Sequence, residues 1–170
     1  MGVSAFAQVC PSGPDMAQTR SELLARLKVS PDQASGMRLA NEIWALWTTA
    51  PDQKAQELLD RGMAMRAASD YAGSEHVLDM LVAYCPGYAE GWNQRAFTRF
   101  MANRMDASLA DIDSALQIEP SHFGALSGRA MILLRQGRTI LAQAALRRAV
   151  SIHPWLQERA YLVEDTGRDI

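Results

Sequence analysis

The chain has 170 residues, a formal net charge of −2, 48% hydrophobic and 21% charged residues. It is long enough to bury one sizeable core. Its charge is too weak to draw nucleic acid or an anionic membrane surface by bulk electrostatics, and no run approaches the ~20 apolar residues of a membrane-spanning helix. Aromatics are 7% of the chain, and the abundance of Ala and Leu favours helix over sheet.

In chain order, Val3-Ser4-Ala5-Phe6-Ala7-Gln8 reads as the end of an export signal. Ala5-Phe6-Ala7 fits the small-x-small cleavage pattern, with cutting before Gln8. A charged region and an apolar stretch ahead of it are both missing. Export to the periplasm is the expectation, and a cytoplasmic location the alternative. Cys10 and Cys85 each precede a proline in a loop. In an oxidising compartment they can pair and tie the N-terminal tail to the end of the first full repeat; otherwise they are two unrelated thiols. No His lies at ligand spacing from either, so no metal site is expected.

Residues 1–14 are read as signal remnant and extended tail, 15–163 as the folded domain, and 164–170 as a tail too poor in apolar residues to pack, hence mobile. Asp15 is placed to cap a helix from Met16 to about Val29. Ser30-Pro31-Asp32 breaks it. A second helix runs from about Gln33 to Thr48, with an apolar stripe of Met37, Ala40, Ile43, Trp44 and Trp47. This hairpin stands in the place of a degenerate zeroth repeat or an N-terminal cap, with Trp44 and Trp47 as core.

From Ala55 the chain repeats every 34 residues. Pro86, Pro120 and Pro154 mark the period, as do Gly62, Ala96 and Ala130, and Leu58, Trp92 and Leu126. A fixed period of this length is the signature of a helical solenoid. The units are 55–88, 89–122 and 123–156. Their helices are predicted at about 54–68 and 71–84, 89–102 and 105–118, and 123–136 and 139–152. The small residue in each first helix lets it approach the second closely. Ser69, Asn103 and Gly137 fall at the tight turns, where a left-handed residue is needed. A capping helix over 155–163 is expected to cover the last unit with Trp155, Leu156, Tyr161 and Leu162.

The series Trp92, Ala96, Ser108, Ile112, Ala115, Pro120, with its equivalents one period away on each side, resembles the tetratricopeptide repeat. Arg99 stands where tyrosine is usual, Leu81 where alanine is usual, and Ser74 and Ser108 at alanine positions. With the Cys-Pro pairs the chain also resembles small exported repeat proteins of Gram-negative bacteria. The resemblance implies an all-α fold, a right-handed α-α superhelix with three regular repeats, a degenerate N-terminal hairpin and a C-terminal capping helix. It also implies that the first helix of each unit lines a concave groove that holds a peptide or protein segment. The positions that match groove-lining residues include Met63, Arg66, Asn93, Phe97, Phe100, Met131 and Arg135. Phe97, Phe100, Met63 and Met131 are suited to apolar side chains, Asn93 to a peptide backbone, and Arg66 and Arg135 to a carboxylate. For Phe100 and Met101, packing against neighbouring elements is an equal expectation. The Lys/Asn/Arg clamp by which some family members grip chaperone C-termini is absent: Leu59, Met63, Gln94, Gly124 and Gly128 stand there.

No phosphate loop or nucleophile elbow is present. His76, His122 and His153 fall in different units and are read as surface or cap histidines, and Asp111, Asp113 and Glu119 as a solvated convex face. The expectation is therefore a non-catalytic protein-interaction module, without cofactor or metal, serving envelope assembly or quality control. Self-association as a homodimer, or a role as the accessory subunit of an enzyme complex, are the alternatives.

Overall fold

The computed structural model describes residues 9–163. The cleavage site before Gln8 and the 164–170 tail lie outside them. Eight α-helices follow in order: α1 Ala17–Lys28, α2 Gln33–Trp47, α3 Gln53–Ala67, α4 Tyr71–Tyr84, α5 Ala89–Met101, α6 Met105–Ile118, α7 Phe123–Arg135 and α8 Thr139–Ile152. No strand occurs among the described residues. The chain is an all-α repeat solenoid, and the predicted helix ends fall within one residue of those observed.

Local chemistry accounts for the ends. Asp32 and Asp52 sit in extended backbone and accept hydrogen bonds from the Ser35 and Ala55 amides at 2.7 and 2.8 Å, capping α2 and α3. At α1 the N-cap is Met16 rather than Asp15, whose carboxylate instead accepts from the Ala17 amide. The three tight turns are left-handed at Ser69, Asn103 and Gly137, with φ of 63°, 60° and 72°. At Gly62 a Cβ would come 2.6 Å from Leu78 Cγ, so the first unit closes on a bare backbone. The two serines at alanine positions donate to that same crossing: Ser74 to the Gly62 carbonyl at 2.8 Å and Ser108 to that of Ala96 at 2.7 Å. Cys10 and Cys85 form a disulfide.

The hairpin α1–α2 departs from the place expected for it. A zeroth repeat would pack in line ahead of the first unit. Instead Leu23, Leu27, Leu39, Ile43 and Trp47 share one core with Ile112, Phe123 and Leu126 of the second and third units, and α1 reaches α8. The first unit keeps a smaller core of its own, around Leu59, Leu78, Leu81 and Cys85. The reason lies in the contacts: Gly124 has no room for a Cβ beneath Trp44, nor Gly36 beneath Trp155, and Trp155 Nε1 donates to the Ser30 carbonyl at 3.1 Å. Beyond Pro154, the expected capping helix is a short 3-10 turn, Gln157–Tyr161. Trp155 has turned toward the hairpin and Leu156 enters the main core, while Tyr161 is exposed and Leu162 packs near Ala145 and Leu146.

Candidate functional site: a roofed trough

Helices α3, α5 and α7 present one face to the concave side, and α2 lies across it. Between them is a cavity of about 460 Å³. Its walls bring together five of the seven residues expected to contact a partner: Arg66, Asn93, Phe97, Phe100 and Met131. Arg135 is not part of this wall; it stacks over the Phe100 ring at 5.0 Å. Met63 packs instead against the core of the first unit, because Leu59, one turn before it, is drawn fully into that core. Phe97 is 47% exposed and Phe100 is packed against the main core, whereas Met101, weighed equally toward packing, faces solvent.

Arg66 is half-buried. Its guanidinium lies 4.6 Å from the Phe97 centroid and donates to the Gln94 carbonyl at 3.3 Å. Burial pulls its pKa down, and the field of Glu90 only partly opposes this. The Asn93 side chain is committed elsewhere: it donates to Glu90 at 3.2 Å, so it is not free to bond a peptide backbone.

Glu90 does not line the cavity but holds two residues that do, Asn93 and Gln94. It is 1% exposed and accepts from Asn93, Gln94 and His122, the last at 2.7 Å. His122 Nδ1 accepts from the Ala125 amide at 3.1 Å, capping α7, which leaves Nε2 to carry the proton toward Glu90. Trp47 stacks on the His122 ring with centroids 3.8 Å apart. The histidine is therefore a cap, as one reading of it held, but a fully buried one and not a surface residue. His153 is also buried, beside Phe123, and burial lowers its pKa. No local pattern pairs this carboxylate with an imidazole; the signal was their spacing of 32 residues, two short of the 34-residue period, which brings the start of α5 against the cap of α7.

The expected solvated acidic face also needs correction. Asp111 is buried because Arg95 and Arg99 both bond it, at 2.7 to 2.9 Å, and the same arginines reach Asp79 and Glu75 of the preceding unit. Arg99, the residue standing in for tyrosine, thus stitches two units together. Glu119 pairs with Arg20 of the hairpin at 2.7 Å. Asp113 remains exposed and pairs with Arg129. Among the described residues no group of His, Cys, Asp and Glu is placed to hold a metal, and no helix is long and apolar enough to cross a membrane.

No family model matches the chain. It is similar to a TPR repeat-containing protein of Rhizobium etli, at 35% identity over 143 residues, covering 81% of this chain and 67% of that protein. Among solved structures it aligns with a MamA RS-1 ArsTM double mutant at 13% identity and a TM-score of 0.41, covering 86% of this chain and 97% of the other.

Proposed function

The chain belongs to the tetratricopeptide-repeat proteins, a family of protein-interaction modules, and on that premise we propose that it holds a segment of a partner protein at the mouth of the roofed trough, in the bacterial periplasm, as a non-catalytic adaptor for envelope proteins. The observation that carries this reading is Phe97, a large aromatic left 47% exposed at the cavity wall with Arg66 stacked on it. An exposed aromatic with one guanidinium stacked on it, and Arg135 over the neighbouring Phe100, suits a segment that offers one apolar and one acidic side chain. The Cys10–Cys85 disulfide supports the oxidising compartment. The test is capture of periplasmic proteins by the wild type and by a Phe97→Ala/Arg135→Ala double variant. The expected result is loss of specific partners from a variant with unchanged circular dichroism; an unchanged set of partners overturns the reading.

Self-association has one observation in its favour. Ile140 and Leu141 are 86% and 50% exposed at the start of α8, and Tyr161 and Val163, whose backbones bond Gln143 of the same helix, are exposed too. Sedimentation at high concentration that finds only monomer removes it.

A further inference from the structure

We propose that the cavity beneath α2 is itself a binding site for a small monocarboxylate, one with an aromatic or branched apolar body and a hydroxyl or N–H donor. This goes beyond the protein-partner reading and does not rest on it.

The cavity, at about 460 Å³, falls within the roughly 300–1,000 Å³ of small-molecule sites. It lies between α2, which contributes Met37 and Trp44, and Phe97, Phe100 and Met131 of the helices below. These walls suit a compact apolar body. The polar atoms decide the chemistry of the rest. Gln94, Ser127 and His153 line the same cavity, are 6%, 4% and 5% exposed, and leave Gln94 Oε1, Ser127 Oγ and His153 Nδ1 without a hydrogen-bond partner. Buried polar atoms are nearly always satisfied, so three unsatisfied ones around a single void point to a molecule that satisfies them.

The charge comes from Arg66. It lines the cavity and makes no ion pair among the described residues, its polar contact being a neutral carbonyl. The nearest buried carboxylate, Glu90, is taken up by His122, Asn93 and Gln94. A half-buried guanidinium without an anion is an unfavourable arrangement that a ligand carboxylate relieves. Ser127 can donate to the same carboxylate, while Gln94 Oε1 accepts only and selects a donor on the ligand body. One cation, with Glu158 also on the wall, favours a monoanion over a dianion.

The test uses para-hydroxyphenylpropionate and its uncharged amide, titrated into the full chain and followed by the fluorescence of Trp44 and Trp155 on the wall. The acid should saturate, with the amide weaker by at least about tenfold, the least that a charge-assisted bond contributes. Arg66→Gln should bring the acid down to the level of the amide. Gly128→Leu fills the void from α7, where a Cβ meets only Ile112 Cδ1 at 3.6 Å, and replaces glycine by a strong helix former; this folded variant should bind neither probe. No saturable change with the wild type, equal binding of acid and amide, or retained binding in Gly128→Leu would each overturn the proposal. Partner capture by the Phe97→Ala/Arg135→Ala variant is read separately, so either idea can fail without the other.

Discussion

Two helical hairpins of similar length stand side by side in the chain, α1–α2 and α3–α4, and they are held by different physics. The second obeys the repeat. Its bare glycine at the helix crossing, its serine bonded to that glycine's carbonyl, and its left-handed turn all recur one period later in equivalent form. The first obeys none of this. It is fixed by long-range aromatic contacts, Trp47 on His122 and Trp44 on Phe123, by the Arg20–Glu119 pair, and by Trp155 bonding Ser30 from the far end of the molecule. A repeat unit is stabilised by neighbours in sequence; this hairpin is stabilised by residues about 75 to 125 positions away, and in settling there it closes the trough that the other helices leave open.

That difference can be broken most directly at Trp47. The side chain is 5% exposed and sits between His122, Phe123 and Trp44. Trp47→Ala should lower unfolding free energy by about 4 kcal/mol, the usual loss for a buried aromatic, measured by urea titration. A loss below about 1 kcal/mol would mean the hairpin rests on the trough without being welded to it.

On the repeat side the matching weld is Asp111. Asp111→Asn leaves Arg95 and Arg99, one turn apart on α5, without the carboxylate they share, with only Asp79 and Glu75 of the preceding unit to hold them. The expected loss is about 2–3 kcal/mol, below the range for a fully buried pair because both arginines keep some solvent. Salt should narrow the gap between wild type and variant, since a charge is lost, whereas the Trp47→Ala deficit should not respond to salt.

These two sites also mark how much could be read from the sequence. The period placed all six repeat helices, because Gly62, Ala96, Ala130 and the three prolines are spaced by chain geometry alone. The apolar stripe of α2 said that Ile43 and Trp47 are buried, but a stripe names no partner, and the partners are in other units. Asp111 looked like a surface charge because nothing local compensates it; its arginines come from α5, 12 and 16 residues earlier. Five of the seven expected trough residues meet at one cavity because family position fixes the concave face. Arg135 and Met63 fall outside it because local packing, on Phe100 and on the first unit's core, took their side chains first.

The glycine of the first unit sharpens the comparison from inside the repeat. Its two counterparts are alanines, Ala96 and Ala130, so Gly62→Ala looks conservative. A Cβ there would lie 2.6 Å from Leu78 Cγ, and Leu78 is fully buried. Overpacking of this kind costs about 1–3 kcal/mol, and the gain of roughly 1 kcal/mol in helix propensity offsets only part. A net loss near 1 kcal/mol in urea is expected; a gain would show that Leu78 yields freely and that the crossing distance is not set by position 62.

The smallest effect should be a gain, and it separates turn chemistry from packing. Ser69, Asn103 and Gly137 share a left-handed backbone, with φ of 63°, 60° and 72°. Glycine adopts it without penalty, asparagine tolerates it, and serine pays the Cβ clash without asparagine's local compensation. Ser69 is exposed, so little packing is lost with its side chain. Ser69→Gly should therefore raise stability by about 0.5–1 kcal/mol, reduced by the extra freedom glycine gives the unfolded chain, and shift the thermal midpoint upward by a few degrees. Asn103→Gly at the equivalent turn should change it less. If the two substitutions gave equal shifts, the turns would be fixed by the helices on either side and not by the residue at the bend, and the first unit would owe its shape to the same long-range packing that holds the hairpin.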